Sequence, residues 1–214
     1  MKLFDKASEG PVLVLCPHTD DEFGCAGTIA KLLSMGAVVH YFALSRCEES
    51  VPAGYPLETL EVECRAATMA LGIDPERVVV GRFQVRKFPS QRQQILETLV
   101  EIRKRIAPSL VLLPSRDDCH QDHQTVATEG FRAFKHSTVL GYELPQNLTV
   151  FRSDVYVGLS GTHLEQKCLA MAEYKSQSFR PYASSTFIRS LASVRGVQIG
   201  IQYAEAFEVL RVVC

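Results

Sequence analysis

No stretch of the 214-residue sequence approaches the roughly 18 consecutive apolar residues that a membrane-spanning helix requires. The opening MKLFDKASEG also lacks the apolar core of a secretory signal, so the expected setting is cytoplasmic. Neither sign of charge is in excess: 23 Lys plus Arg against 24 Asp plus Glu leave a formal charge of -1. That balance argues against a strong field drawing the chain to nucleic acid or an anionic membrane, and neither is an expected partner. The seven cysteines are odd in number and never stand in a CxxC spacing, so neither a disulfide framework nor a thiolate zinc knuckle fits. Reduced, mostly buried thiols are expected. Internal repeats, low-complexity tracts and linker-like segments are lacking too, and one α/β domain over 1–214 accounts for the length.

What is present is a regular alternation of short apolar runs and helical patterns. Val12–Cys16 is a continuous apolar run closed by Pro17, the pattern of a strand buried on both faces. Cys25–Met35 carries Ile29, Leu32 and Leu33 at helical spacing, with Gly36 as a stop. A strand at Val38–Leu44, a helix at Glu58–Leu71, a strand at Val78–Val80, a helix at Gln91–Ile106 and a strand at Leu110–Leu113 continue the series. Beyond it a helix is expected over Gln124–Phe134, strands over Val139–Glu143 and Asp154–Gly158, and a helix over His163–Tyr174. Ser184–Gln202 gives mixed signals, and Glu208–Val213 reads as a last strand. Such alternation predicts an α/β, Rossmann-like domain, its mostly parallel twisted sheet covered by helices on both faces.

Two clusters carry the chemistry, and each follows the C-terminal end of an apolar strand: His18-Thr-Asp-Asp-Glu22 and Asp118-Cys-His-Gln-Asp-His123. In a doubly wound sheet of order 3-2-1-4-5, strands one and four adjoin at the topological switch point, where ligands bind. The clusters are therefore expected to converge. Imidazoles and carboxylates in this number supply three ligands for a catalytic zinc and leave a base and an acid for hydrolysis.

These residues resemble the LmbE-like or PIG-L-type N-deacetylases, zinc enzymes that remove acetyl groups from amino sugars and their conjugates. PHTDDE stands against the family's P-H-P-D-D-E, GCAGTIAKL follows it, and D-C-H-Q-D-H stands against D-x-H-P-D-H. Weaker matches run through Ala67–Gly72 and Tyr174–Gln177. The resemblance implies Zn2+ held by His18, Asp21 and His123, Asp20 as general base, His120 as acid, and Asp122 orienting an imidazole or stabilising its charge. It implies a small N-acylated substrate, and homo-oligomers are common among similar proteins. The departures fall at Thr19 and Gln121, which replace prolines, at Cys47, which replaces a glycine, and at Leu60, which stands where many members carry an arginine.

Arg46, Glu48, Asp118 and His163 are candidate substrate-side residues, with Arg46 or Arg65 as candidate replacements for the missing arginine. Structural roles are expected for Glu22, near the start of the first helix, and for Cys25, Cys119, His40 and His136. Two other readings of the clusters stand beside the amidase: a binuclear metallophosphoesterase, with ions about 3.5 to 4 Å apart, and a non-catalytic metal- or ligand-binding protein.

Overall fold

Val12–Cys16 (β1) and Leu110–Pro114 (β4) form the centre of the fold, because nothing in either strand asks for water. Every residue of both is buried and the two strands pair in parallel. Successive side chains of a strand point to opposite faces, so each strand feeds two cores. Val12, Val14 and Cys16 pack with Ile29, Leu71 and Leu164 in one; Leu13 and Leu15 pack with Ile95, Leu99 and Val126 in the other. The first core lies under α1 (Ala26–Ser34), α2 (Thr59–Leu71), α5 (Gly161–Ala172) and α6 (Ser185–Val197), the second under α3 (Arg92–Ile106) and α4 (Gln121–Ala133). The structure, a computed structural model, describes residues 10–213. The MKLFDKASEG opening up to residue 9 and Cys214 lie outside the described residues.

The remaining strands are β2 (Val39–Ala43), β3 (Val78–Val80), β5 (Thr138–Tyr142), β6 (Val155–Leu159) and β7 (Tyr203–Arg211). They assemble in the order β3-β2-β1-β4-β5-β7-β6. The first five are mutually parallel and follow the expected 3-2-1-4-5 order, while β7 runs antiparallel to both of its neighbours. This is a single α/β domain with a mostly parallel sheet. No helix among the described residues is long and apolar enough to cross a membrane. The six described cysteines are free thiols, all buried except Cys119.

Two segments depart from the sequence expectation, each for a physical reason. Ser184–Gln202 holds the regular helix α6, N-capped by the Ser184 hydroxyl accepting from Phe187 N. Its periodicity is blurred because Val194 and Val197 face solvent. Strand β7 begins at Tyr203, five residues before the expected Glu208, and its pattern is broken because Glu205 and Glu208 are buried acids. Glu205 substitutes for a missing local cap. Cys25 gives α1 no side-chain cap, and Glu205 accepts instead from Gly27 N at 3.0 Å and Thr28 N at 2.6 Å, with Lys167 Nζ 2.7 Å away.

Candidate metal centre

The segment after β1 makes a turn over residues 17–20, enters a short 3-10 helix, Asp21–Gly24, and passes close over the end of β5. Only glycine permits this at position 24, where a Cβ would stand 2.5 Å from the Tyr142 ring. After β4 the chain makes a loop and enters α4 at Gln121, three residues before the apolar periodicity begins. His120 caps that helix, its Nδ1 accepting from Asp122 N at 3.2 Å. Asp122 and His123 consequently sit in the first turn, directed back toward β1.

Three atoms meet where these segments face each other. His18 Nδ1 lies 3.0 Å from His123 Nε2 and 3.2 Å from Asp21 Oδ2, and His123 Nε2 lies 3.3 Å from the same Asp21 oxygen. The other nitrogen of each ring is held by a carboxylate: His18 Nε2 by Asp122 Oδ2 at 3.1 Å, and His123 Nδ1 by Asp118 Oδ2 at 2.7 Å. Donation to those carboxylates places the ring hydrogens on the outer nitrogens, so two lone pairs and a carboxylate oxygen converge on one point. Such a triangle is repulsive unless a cation occupies its centre. Two ligands about 2.0 to 2.1 Å from a tetrahedral zinc stand about 3.3 to 3.4 Å apart, close to the spacing found. The donor set fits a metal ion of this kind.

The electrostatics agree. Burial opposes a charge on His123, yet Asp21 and Asp118, one at each ring nitrogen, push its pKa up to about 10. His18 is also raised, burial being outweighed by Asp21 and Asp122. Burial works against the Asp21 carboxylate as well, but His123 and His18 hold it well below the usual range. The triangle thus draws positive charge, whether proton or metal. Asp20, beside it, is shifted the other way: burial and the Asp21 charge raise its pKa, opposed by His18 and Arg180. Burial, His123 and His18 lower the pKa of His120. Since its Nδ1 accepts from the backbone, its Nε2 carries the hydrogen. His120 offers a ring nitrogen within 4.8 Å of those of His18 and His123.

The structure brings His18, Asp20, Asp21, His120 and His123 to one cleft. Asp118 and Asp122 stand behind the imidazoles instead. Asp118 also accepts from His120 N at 2.8 Å and Asn147 Nδ2 at 3.3 Å, and Asp122 accepts from Arg86 N at 2.6 Å and Phe88 N at 3.3 Å. Arg46 and Glu48 bind each other at 2.7 Å and border a separate groove. His163 belongs to the cap of α5, its Nδ1 accepting from Ser160 N. Leu60 is buried in the cleft wall against Cys47 and Val85. Cys47 adopts φ +61°, the left-handed region that favours the glycine it replaces.

Sequence reasoning missed Arg86, Arg180 and Tyr182, which also line the cleft. Arg86 sits in the loop after β3, and Arg180 and Tyr182 at a one-turn 3-10 helix, Pro181–Ala183, none with a motif around it. Glu22 is tied in from below, accepting from the hydroxyls of Tyr41 at 3.0 Å and Tyr174 at 2.6 Å. Burial pushes its pKa to about 8. The turn that bears Gln177 on the cleft is fixed by Glu63, which accepts from Ser176 N and Oγ at 2.8 and 2.6 Å.

A family model described as PIG-L, GlcNAc-PI de-N-acetylase, matches residues 13–134 and spans both clusters. The chain belongs to this family. Among solved structures it is similar to a conserved protein of Thermus thermophilus, at 25% identity over 96% of each chain and a TM-score of 0.76. It is also similar to the N,N'-diacetylchitobiose deacetylase of Pyrococcus horikoshii, at 19% identity, TM-score 0.76, covering 98% of this chain and 87% of that one. A third is the zinc-inhibited form of a teicoplanin deacetylase, at 16% identity, TM-score 0.75, covering 92% and 96%. The likeness to the last two is one of fold. The family rests on the match over residues 13–134, and the neighbours share the fold that carries it.

Proposed function

We propose that the protein is a zinc-dependent N-deacetylase that hydrolyses the amide of an N-acylated amino sugar, glycoconjugate or nucleotide sugar. The observation that carries the reading is the triangle of His18 Nδ1, His123 Nε2 and Asp21 Oδ2, at 3.0 to 3.3 Å, opening on a cleft that also holds Asp20 and His120. His18, Asp21 and His123 would hold the ion, and Asp118 and Asp122 would keep the two rings turned toward it. Bound there, zinc supplies a Lewis acid that lowers the pKa of water and polarises the amide carbonyl.

The chain's own groups supply the rest. Asp20, raised in pKa and without an ion pair among the described residues, takes a proton from the attacking water. The Nε2–H of His120 faces the oxygen that gains charge as the carbonyl becomes tetrahedral. Neutral and with Nδ1 engaged by the backbone, His120 keeps its Nε2–H on that oxygen, and the proton held by Asp20, in place of one from His120, passes to the leaving nitrogen, so one water is divided between a carboxylate and a free amine.

The test is a panel of N-acetylated sugars assayed for release of acetate and amine, with metal content measured in parallel. Asp20→Asn is expected to lower turnover by about a hundred- to ten-thousand-fold while retaining one zinc per chain. Equal rates for the two proteins would remove Asp20 as base, and two metal ions per chain would favour phosphoester chemistry.

A further inference from the structure

The charges that face the cleft do not balance once its centre is filled. Asp20 and Asp21 are the carboxylates that line it, and Arg86 and Arg180 are lining residues as well, Arg180 close enough to act on the Asp20 charge. A divalent ion offsets those two carboxylates, and Asp118 and Asp122, which bond the imidazoles and backbone N–H groups behind them, pair with neither arginine side chain. Neither is neutralised elsewhere. Among the described residues the Arg86 side chain has no hydrogen-bond or ion-pair partner, although its backbone N donates to Asp122 and its carbonyl accepts from Gln121 Nε2 at 2.7 Å. Arg180 donates through Nε to the neutral Gln177 Oε1 at 2.6 Å and lies near the rings of Phe179 and Tyr182.

The arginines that a sequence argument would choose are in the opposite condition. Arg46 is paired with Glu48 at 2.7 Å and approaches Glu61 at 3.8 Å, and Arg65 is paired with Glu61 at 2.9 Å. With Leu60 buried, helix α2 presents no cation to the cleft; the loop after β3 and the segment before α6 present two. The loop is also fixed. Arg86 is held at φ +66°, an unfavourable conformation for a side chain with a Cβ, while Asp122 grips the backbone N–H of residues 86 and 88.

We propose that Arg86 and Arg180 form an anion-recognition site, and that the N-acylated substrate carries a carboxylate or phosphate close to the amide to be cleaved. This rests on the deacetylase reading and narrows its substrate class. Guanidinium groups suit either anion, since their planar donors match both in bidentate fashion.

The experiment compares N-acetylglucosamine with its 6-phosphate and with N-acetylmuramic acid, which carries a carboxylate, using the zinc-loaded protein and the Arg86→Gln and Arg180→Gln variants. The ratio of kcat/KM for an anionic over the neutral sugar is expected to exceed about ten in the native protein and to fall about tenfold in each variant, as loss of one charge-assisted hydrogen bond requires. The phosphate and carboxylate arms identify the anion. A ratio near one in the native protein, or one that the variants leave unchanged, would overturn the proposal.

Binding of inorganic phosphate and of malonate to the zinc-loaded protein, measured by calorimetry, gives a second readout that needs no turnover. Saturable binding of either anion that the double variant loses supports the site even if no sugar is deacetylated, a result that would count against the enzymatic reading alone. Binding of neither anion, or binding that the double variant keeps, would overturn the site even if deacetylation is observed.

Discussion

At the scale of single residues the site is a set of matched protonation states, and Glu22 shows what one of them does. Its pKa in the folded protein, about 8, lies above the ordinary value of 4.5. A raised carboxyl contributes stability that is complete below its unfolded pKa and is lost as pH rises through the folded value. The native protein is therefore expected to weaken between pH about 4.5 and about 8, and Glu22→Gln, which cannot ionise, is expected to flatten that slope. Urea melts at pH 5 and pH 8 measure it: a difference on the order of 2 kcal/mol should shrink in the variant. An unchanged slope would show that the proton is held elsewhere. The ligand-bearing clusters were legible in the sequence because short motifs follow β1 and β4. The pairing behind them was not. Asp122 stands next to His123 in the chain, yet it holds His18, 104 positions away, while Asp118 holds His123. Local spacing carries no information about such exchanges. Arg86 and Arg180 were invisible for the same reason, being brought to the cleft by topology alone.

At the scale of elements, the strands and helices up to α5 were readable because each carries one uninterrupted pattern, whereas β7 was obscured by the acids it buries. Glu205 joins β7 to α1 and α5 through four contacts, including the 2.7 Å pair with Lys167. Glu205→Ala would strand a buried ammonium and uncap α1, so a loss of about 3 to 5 kcal/mol is expected in chemical denaturation. A loss below about 1 kcal/mol would mean that water replaces the carboxylate. The end of α3 offers a change in the other direction. Ala107 is exposed and adopts φ +48°, where a Cβ is strained. Ala107→Gly is expected to raise stability by about 0.5 to 1 kcal/mol, because glycine is the residue that suits a left-handed helix end.

At the scale of the whole molecule, the ion site fastens together the segment after β1 and the first turn of α4, so zinc is expected to stabilise the entire domain. At a free concentration about a thousand times the dissociation constant the gain is about 4 kcal/mol. Its pH dependence follows from His123. In the metal-free protein that ring keeps its proton up to about pH 10, against an ordinary value of 6.5. The proton's contribution to stability is complete below about 6.5 and lost as pH rises through about 10, and the metal must displace it. The melting-temperature gap between zinc-loaded and chelator-treated protein should thus widen from pH 6.5 to 9, and calorimetry should record proton release on binding. A constant gap would exclude the protonated ring. One carboxylate extends this coupling to the cleft wall. Because Asp122 fastens the His18 ring and the backbone beneath Arg86 at once, ion capture and the shaping of the anion-binding loop should occur in sequence, the first making the second rigid. A ligand that meets the empty protein would find a looser mouth than one arriving after the metal.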